Sequence, residues 1–325
     1  DGTRGRYALL YANSTDGLHW EKPNLGIFDF VKAGFGPELG KLGTANNALV
    51  EGDGVGVYYD KHDPDPSRRY KAIGDACWLS PTLAFNADMS GCENLYVPAP
   101  GANAPRTKRF HGVIASSADG LVFHRDHVVN VSWPPPQKWD THNNVFFDET
   151  SQSYVVTTRN IPVESTGVER ETSLTRSVGP RFEDFDFSQA PPVIMRGNIS
   201  HQTYAQVTFP WLDVYLGLVM VFDSDTGDEV HCRLTFAPTP EGPWKPVEGD
   251  NVIDAPDFLP LGGPGAFDSH IIFAGASPFR HDSGAEWMYY MGGNGPHDGA
   301  RNSSFGLATL RPDGFASVRG RGVFR

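Results

Sequence analysis

Residues 14–20 read STDGLHW, a tight Asp-Gly turn that follows a strand-like run and closes on Trp20. Asp-Gly tolerates positive φ, and an aromatic residue just beyond it anchors such a turn against a sheet. The same punctuation recurs. Residues 117–123 read SADGLVF, 177–182 SVGPRF, 237–244 APTPEGPW and 311–315 RPDGF. With Gly17, Gly120, Pro180, Gly242 and Gly314 as markers, the spacings are 103, 60, 62 and 72 residues. Three of the four match one four-stranded unit, and repetition at that length is the signature of propellers and solenoids. Asp16, Asp119 and Asp313 are therefore read as turn formers.

A strand-like segment precedes every marker: YALLYANS, RFHGVIASS, ETSLTRS, EVHCRLTFA and FGLATLR. Two more precede each of the last four, as in NNVFFDE with SYVVTTR, or TYAQVTFP with VYLGLVMVF. The pattern predicts strand, strand, strand, turn, aromatic, short strand. Radial repetition of such sheets leaves only short edges, which is how a β-propeller closes. The long first spacing predicts a loop-rich insertion over 63–108, holding Cys77 and Cys92.

The 36 glycines and 26 prolines of this 325-residue chain favour turns over helices. A net charge of −12 and a pI near 5.3 argue against a nucleic-acid partner, which needs clustered Lys and Arg. No run approaches the ~20 apolar residues that cross a bilayer, so no membrane insertion is expected. Sequons at Asn13, Asn130, Asn198 and Asn302 predict a secreted glycoprotein. In an oxidising compartment Cys77 and Cys92 are candidates for a disulfide, leaving Cys232 alone, and three cysteines without CxxC spacing make no zinc site.

The segments YANSTDGLHWEKPNLG, NNALV, RYKAIG, WDTHNNVFFDETSQSYVVTTRN, GAFDSHIIFAGASP, MYYMGGNGPHDG and FGLATLRPDGFASV together carry a resemblance. The chain resembles secreted, mostly uncharacterised proteins related to the five-bladed propeller glycoside hydrolases, the superfamily of invertases, levansucrases and arabinanases. The resemblance implies an all-β, five-bladed β-propeller of four-stranded antiparallel blades, forming a single domain over 1–325, with a carbohydrate ligand. Hydrolysis does not follow from the fold alone. The invertase-type Trp-Met-Asn-Asp-Pro-Asn-Gly, Arg-Asp-Pro and Glu-Cys-Pro motifs are missing. The chain opens on what reads as a third strand, so its first blade is expected to be incomplete. In the related hydrolases a catalytic aspartate lies on the innermost strand of that blade; this chain is then a fragment or lacks that acid.

In a propeller the innermost strands line a central funnel, so residues at its mouth converge although they are distant in sequence. Those positions are Asn46 and Asn47; Asp140, His142, Asn143 and Asn144; His201, Tyr204 and Gln206; and Asp268, Ser269 and His270. Glycoside hydrolysis takes two carboxyl groups, one to protonate the leaving oxygen and one as nucleophile or base. Asp140 and Asp268 are the carboxylates at these positions and form the candidate catalytic pair; the alternative role is to cap neighbouring loops. Glu169, Glu171 and Glu229 are reserve acids.

The amides of Asn46, Asn47 and Asn143 either bind sugar hydroxyls or satisfy strand-end backbone groups. His142, Tyr204, Gln206 and His270 complete the expected substrate-binding set, and the two histidines are also suited to a cation. Arg159 and Arg170 clamp an acidic sugar or pair with acids, the second being the ordinary role. Trp139, Trp211 and Trp287 are sugar platforms or core. Asp-Pro-Asp-Pro at 63–66 looks like a calcium loop, but its spacing fits no EF-hand. No cofactor and no metal site are expected, a structural calcium being the one ion left open. The leading function is a secreted glycoside hydrolase. The alternatives are a non-catalytic glycan-binding module and a structural propeller that docks protein partners in an extracellular assembly.

Overall fold

The computed structural model describes residues 7–31, 37–61, 63–76, 96–98, 106–108, 112–128, 137–162, 170–186, 191–297 and 299–317. Their regular structure is mainly antiparallel strands, with an α-helical turn at Pro37–Gly40 and 3-10 turns at Pro66–Arg68 and Phe182–Asp184. No described helix is long and apolar enough to cross a membrane. The chain divides into two compact units, one built from residues 1–164 and 173–192, the other from 165–172 and 193–325.

In the first unit β1 (Ala8–Leu10), β2 (Ala48–Tyr59) and β3 (Tyr70–Ala76) are followed by a two-stranded ribbon, β4 (Tyr96–Pro98) with β5 (Arg106–Lys108). Beyond it come β6 (Gly112–Ser117) and β7 (His124–Val128), and the sheet order is β1-β2-β3-β6-β7. Strands β2, β3, β6 and β7 are the expected strand, strand, strand, turn, short strand. Two expectations need correction. Residues 7–14 were expected as the third strand of a separate first blade, yet β1 is an edge strand on β2. Strand β2 is long enough to serve two partners: residues 48–51 pair with β1, and Gly52 to Tyr59 pair with β3 across a register shift between Asp53 and Gly56. The 63–108 insertion was also drawn too wide, because β3 lies inside it; among the described residues the excursion begins after Ala76. Cys77 and Cys92 lie outside the described residues.

The second sheet of this unit contains β8 (Gln137–Trp139), β9 (Asn144–Asp148), β10 (Ser153–Pro162) and β11 (Glu171–Arg176), with β8 and β9 both antiparallel to β10. One core packs Ile73, Ile114, Val145, Tyr154, Val156, Phe182 and Phe185. A second packs Leu49, Val50, Ala72, Ala115 and Phe123.

In the second unit β12 (Val193–Arg196) precedes β13 (His201–Trp211), β14 (Val214–Asp223), β15 (Glu229–Ala237) and the short β16 (Lys245–Pro246). Strands β13 to β16 form consecutive antiparallel pairs, the predicted pattern in full. Residues Tyr215 to Asp223 of β14 are all buried, which explains an apolar run without alternation: both faces of this central strand are covered. Next come β17 (Ile271–Ala274), β18 (Phe279–Arg280), β19 (Glu286–Gly293) and β20 (Ser303–Leu310), in which β19 pairs with the other three. The core runs from Tyr204 through Leu218, Met220, Ile271 and Ile272 to Phe315, and buries the free Cys232.

The repeat is visible atom by atom. At the first turn Ser14 Oγ donates to Asp16 Oδ1 and accepts from Gly17 N–H, while Asp16 Oδ1 also accepts from Leu18 and His19 N–H. Ser117, Asp119, Gly120, Leu121 and Val122 reproduce this set bond for bond. Gly17 and Gly120 have φ of 73° and 74°. The closing aromatics Phe123, Phe182 and Phe315 are buried and Trp244 lies over Gly217, whereas Trp20 is 48% exposed.

Candidate functional site

Each unit places its candidate aspartate just ahead of a strand start. In the first unit Trp139 pairs with Asn160 and Asn144 with Thr157, so residues 140–143 loop out of the sheet opposite only Thr158 and Arg159. His142 takes the left-handed conformation, φ 60°, at the crest of this break. Asp140, 7% exposed, accepts from Arg159 Nε through Oδ2 at 2.8 Å and from Thr141 N–H through Oδ1 at 2.8 Å. Arg159 therefore pairs with an acid, its ordinary role. Asn143 Nδ2 donates to Gly54 O and Asp140 O. Asn46 Nδ2 donates to Phe28 O and Gly43 O, and Asn47 Nδ2 to Tyr11 O. Of the two readings for these amides, strand-end satisfaction is the one the geometry displays.

In the second unit Asp268, 9% exposed, accepts from Tyr290 Oη at 2.8 Å. Its carboxylate lies against Gly262 and its Cβ against Gly292, where an added methyl would meet it at 2.1 and 2.6 Å. Burial, and then the bond to Asp268, pushes the Tyr290 hydroxyl up to about 12. Since the folded value exceeds the ordinary one near 10, this contribution to stability is present below about pH 10 and is lost as pH rises through about 12. Urea midpoints between pH 9 and 12 are expected to fall more steeply for the wild type than for Tyr290→Phe, a difference of about 1 kcal/mol once solvent screening is allowed for.

His270 Nδ1 meets Ser269 Oγ at 2.9 Å, and the His270 carbonyl accepts from Val230 N–H. That bond brings the start of β15 beside Asp268 and its neighbours. Register then aligns His201, Asp223 and Glu229 across β13, β14 and β15, with His201 3.3 Å from Asp223. His231 bridges two acids, Asp257 at 3.1 Å and Glu229 at 3.4 Å, and Arg233 Nη1 lies 2.9 Å from Asp257. Tyr204 is buried, its hydroxyl 2.8 Å from His297 Nε2 and its ring 4.9 Å below the Arg170 guanidinium. Gln206 is 2% exposed and donates to Thr208 Oγ1.

Glu171 is buried against Arg196 at 2.5 Å, which leaves Glu229 as the accessible reserve acid, while Glu169 lies outside the described residues. Trp211 packs on Phe315 and Trp287 stacks on His281; the Trp139 side chain is not among those described. Asp63 of the Asp-Pro-Asp-Pro turn binds the Lys71 ammonium, and Asp65 caps Ser67. Among the described residues no group of three His, Cys, Asp or Glu is arranged for a metal. Asn13, Asn198 and Asn302 are exposed, and Asn130 lies outside the described residues.

Sequence reasoning passed over Tyr290, His231, Asp257 and His297. Two signals were present. Asp-Thr-His at 140–142 and Asp-Ser-His at 268–270 repeat one motif, and the alternation of Glu229, His231 and Arg233 puts them on one face of a strand.

No protein-family model matches the chain, and no curated protein does. Solved structures do. A complex of BT0996 with RGII aligns over 95% of this chain and 79% of its own, at 12% identity and a TM-score of 0.53. An N-acetylgalactosamine deacetylase from F. plautii, in complex with blood group B trisaccharide, aligns over 82% of this chain and 90% of its own (14% identity, TM-score 0.44). A xylan β-1,4-xylosidase from Bacillus halodurans C-125 aligns over 81% of this chain, which spans 43% of that protein (15% identity, TM-score 0.45). The first likeness, covering nearly the whole chain, shows a shared fold. Two further similar structures are described as a glycoside hydrolase (12% identity, TM-score 0.46) and a glycosyl hydrolase from Bacteroides ovatus (11% identity, TM-score 0.41).

Proposed function

We propose that the chain is a secreted glycoprotein, a single five-bladed propeller domain that acts on a carbohydrate as a glycoside hydrolase. The observation that carries this reading is the repeated Asp-Ser/Thr-His segment, which twice sets a buried, hydrogen-bonded aspartate a few residues ahead of a strand. A glycosidase needs a carboxylate fixed in place to stabilise the oxocarbenium-like transition state, and a second carboxyl group to move a proton. Asp140, held by a guanidinium and a backbone N–H, suits the fixed role; Asp268, gripped by Tyr290, is its partner, and Glu229 is the reserve acid. His142 and His270 are the proposed substrate-binding histidines. The RGII ligand named for the structure of similar fold supports a carbohydrate over a nucleic acid or lipid.

The second reading is a glycan-binding or structural propeller without turnover. It is favoured by the missing invertase-type motifs and by the engagement of the Asn46, Asn47 and Asn143 amides with backbone. Sugar release from fructan, arabinan, xylan and algal polysaccharide decides between them. Asp140→Asn and Asp268→Asn are each expected to lower release at least 10²-fold with the melting transition retained. Binding without release from any of the four would replace hydrolysis by the second reading, and a stable complex with a protein partner formed without sugar would support docking.

A further inference from the structure

In the second unit an exposed ring stands beside Asp268. Phe267 is 39% exposed, although the aspartate next to it in sequence is 9% exposed. Two residues of β19 hold both side chains. Tyr290, whose hydroxyl donates to Asp268, stacks its ring on Phe267, with centroids 6.0 Å apart and planes 26° from parallel. Gly292 lies against both, since a Cβ added there would meet Asp268 Cβ at 2.6 Å and Phe267 Cε2 at 2.7 Å. Ring and carboxylate therefore sit side by side over one strand. The loop that leads to them, LGGPGA at 261–266, is open: an added Cβ at Gly263 or Gly265 would meet nothing within 4 Å.

With one face on Tyr290 and an edge on Gly292, the Phe267 ring is fixed, and its opposite face is the part that water reaches. A ring already immobilised loses little further freedom when a ligand covers it, which makes it an effective platform. Ring chemistry then separates two kinds of sugar. A pyranose chair with equatorial hydroxyls gathers its axial hydrogens into a flat apolar face. A furanose ring is smaller and puckered, and its hydroxyls and exocyclic carbon project to both sides. Laying the first on Phe267 buries apolar surface of both partners. Laying the second there takes hydroxyls out of water over a phenyl ring that cannot pair them.

We infer that Phe267 is the platform on which a pyranose residue stacks beside Asp268, so that the site takes pyranosides and not furanosides. The inference rests on the reading of Asp268 as an acid of a carbohydrate site and names the substrate class of that site. The test is native electrophoresis of Asp140→Asn, which leaves Phe267 and its neighbours intact, through gels containing xylan or laminarin, built of pyranoses, or inulin or arabinan, built of furanoses. Xylan or laminarin is expected to retard the protein, and both furanose polymers to leave it unretarded. Adding Phe267→Ala is expected to weaken the retardation about tenfold with an unchanged circular dichroism spectrum, whereas Phe267→Tyr, which keeps the flat face, stays within about twofold. Should Phe267→Ala unfold, Phe267→Leu, which keeps apolar bulk without a flat face, is expected to weaken it similarly. No retardation by either pyranose polymer, equal retardation by a furanose polymer, or retardation that survives loss of the ring would overturn the inference. Displacement of the polysaccharide by excess choline chloride would mark the ring as a cation site and overturn it too. Sugar release by the wild type separates the two readings: release from inulin or arabinan sinks this inference and leaves hydrolysis standing, while retardation by xylan or laminarin without release does the reverse.

Discussion

Arg159→Met is expected to lower the free energy of unfolding by about 3–5 kcal/mol, because it leaves the Asp140 carboxylate buried without its guanidinium. Both partners are nearly inaccessible, Asp140 at 7% and Arg159 at 5% exposure, so water cannot replace the lost bond cheaply. Asp140→Asn should cost less than Arg159→Met if the amide keeps a hydrogen bond to the guanidinium. The double variant Arg159→Met/Asp140→Asn should recover most of the loss, since neither charge then remains. Urea midpoints of the four proteins check the cycle. A loss under about 1 kcal/mol for Arg159→Met would mean that the pair behaves as a solvated one.

Gly56→Ala is expected to be nearly as damaging, by about 3 kcal/mol or more. A Cβ at this position would stand 2.0 Å from the carbonyl oxygen of Asn143, and that oxygen belongs to backbone. Neither strand can yield alone, because Asn143 is tied to Gly54 through both its N–H and its amide. The break that presents Asp140 would have to move as a whole, which places the cost at or above the upper part of the usual range for overpacking. Gly263→Ala is the control: nothing lies within 4 Å of its added Cβ, so its midpoint should be unchanged or slightly higher.

The Ser–Asp turns were legible because their determinants are local. A hydroxyl and a carboxylate two residues apart satisfy the same N–H groups wherever the pair occurs, and residues 14–18 and 117–121 behave alike for that reason. The β13–β16 set was legible for a related reason, since its connections are short. The position of β1 was not. A strand of three residues carries little pattern, and its partner, residues 48–51 of β2, lies about forty residues further along the chain.

At the site the aspartates could be picked out by position, but their partners could not. Tyr290 reaches Asp268 through the pairing of β17 with β19, a matter of register. The asparagine amides were ambiguous for a chemical reason: a carboxamide offers a sugar and a backbone the same donor and acceptor, and only the folded geometry shows which is engaged.

The division of the chain also bears on how the protein is made. The first unit draws residues 173–192 from beyond the point where the second unit has begun, and among them are Phe182 and Phe185 of its core. A nascent chain that has reached residue 164 still lacks both phenylalanines and the strand that covers β10. At ordinary rates of elongation that exposed edge persists on the order of seconds on the ribosome. The unit cannot be produced as a contiguous fragment ending at residue 164, and its closure waits on sequence translated after the crossover.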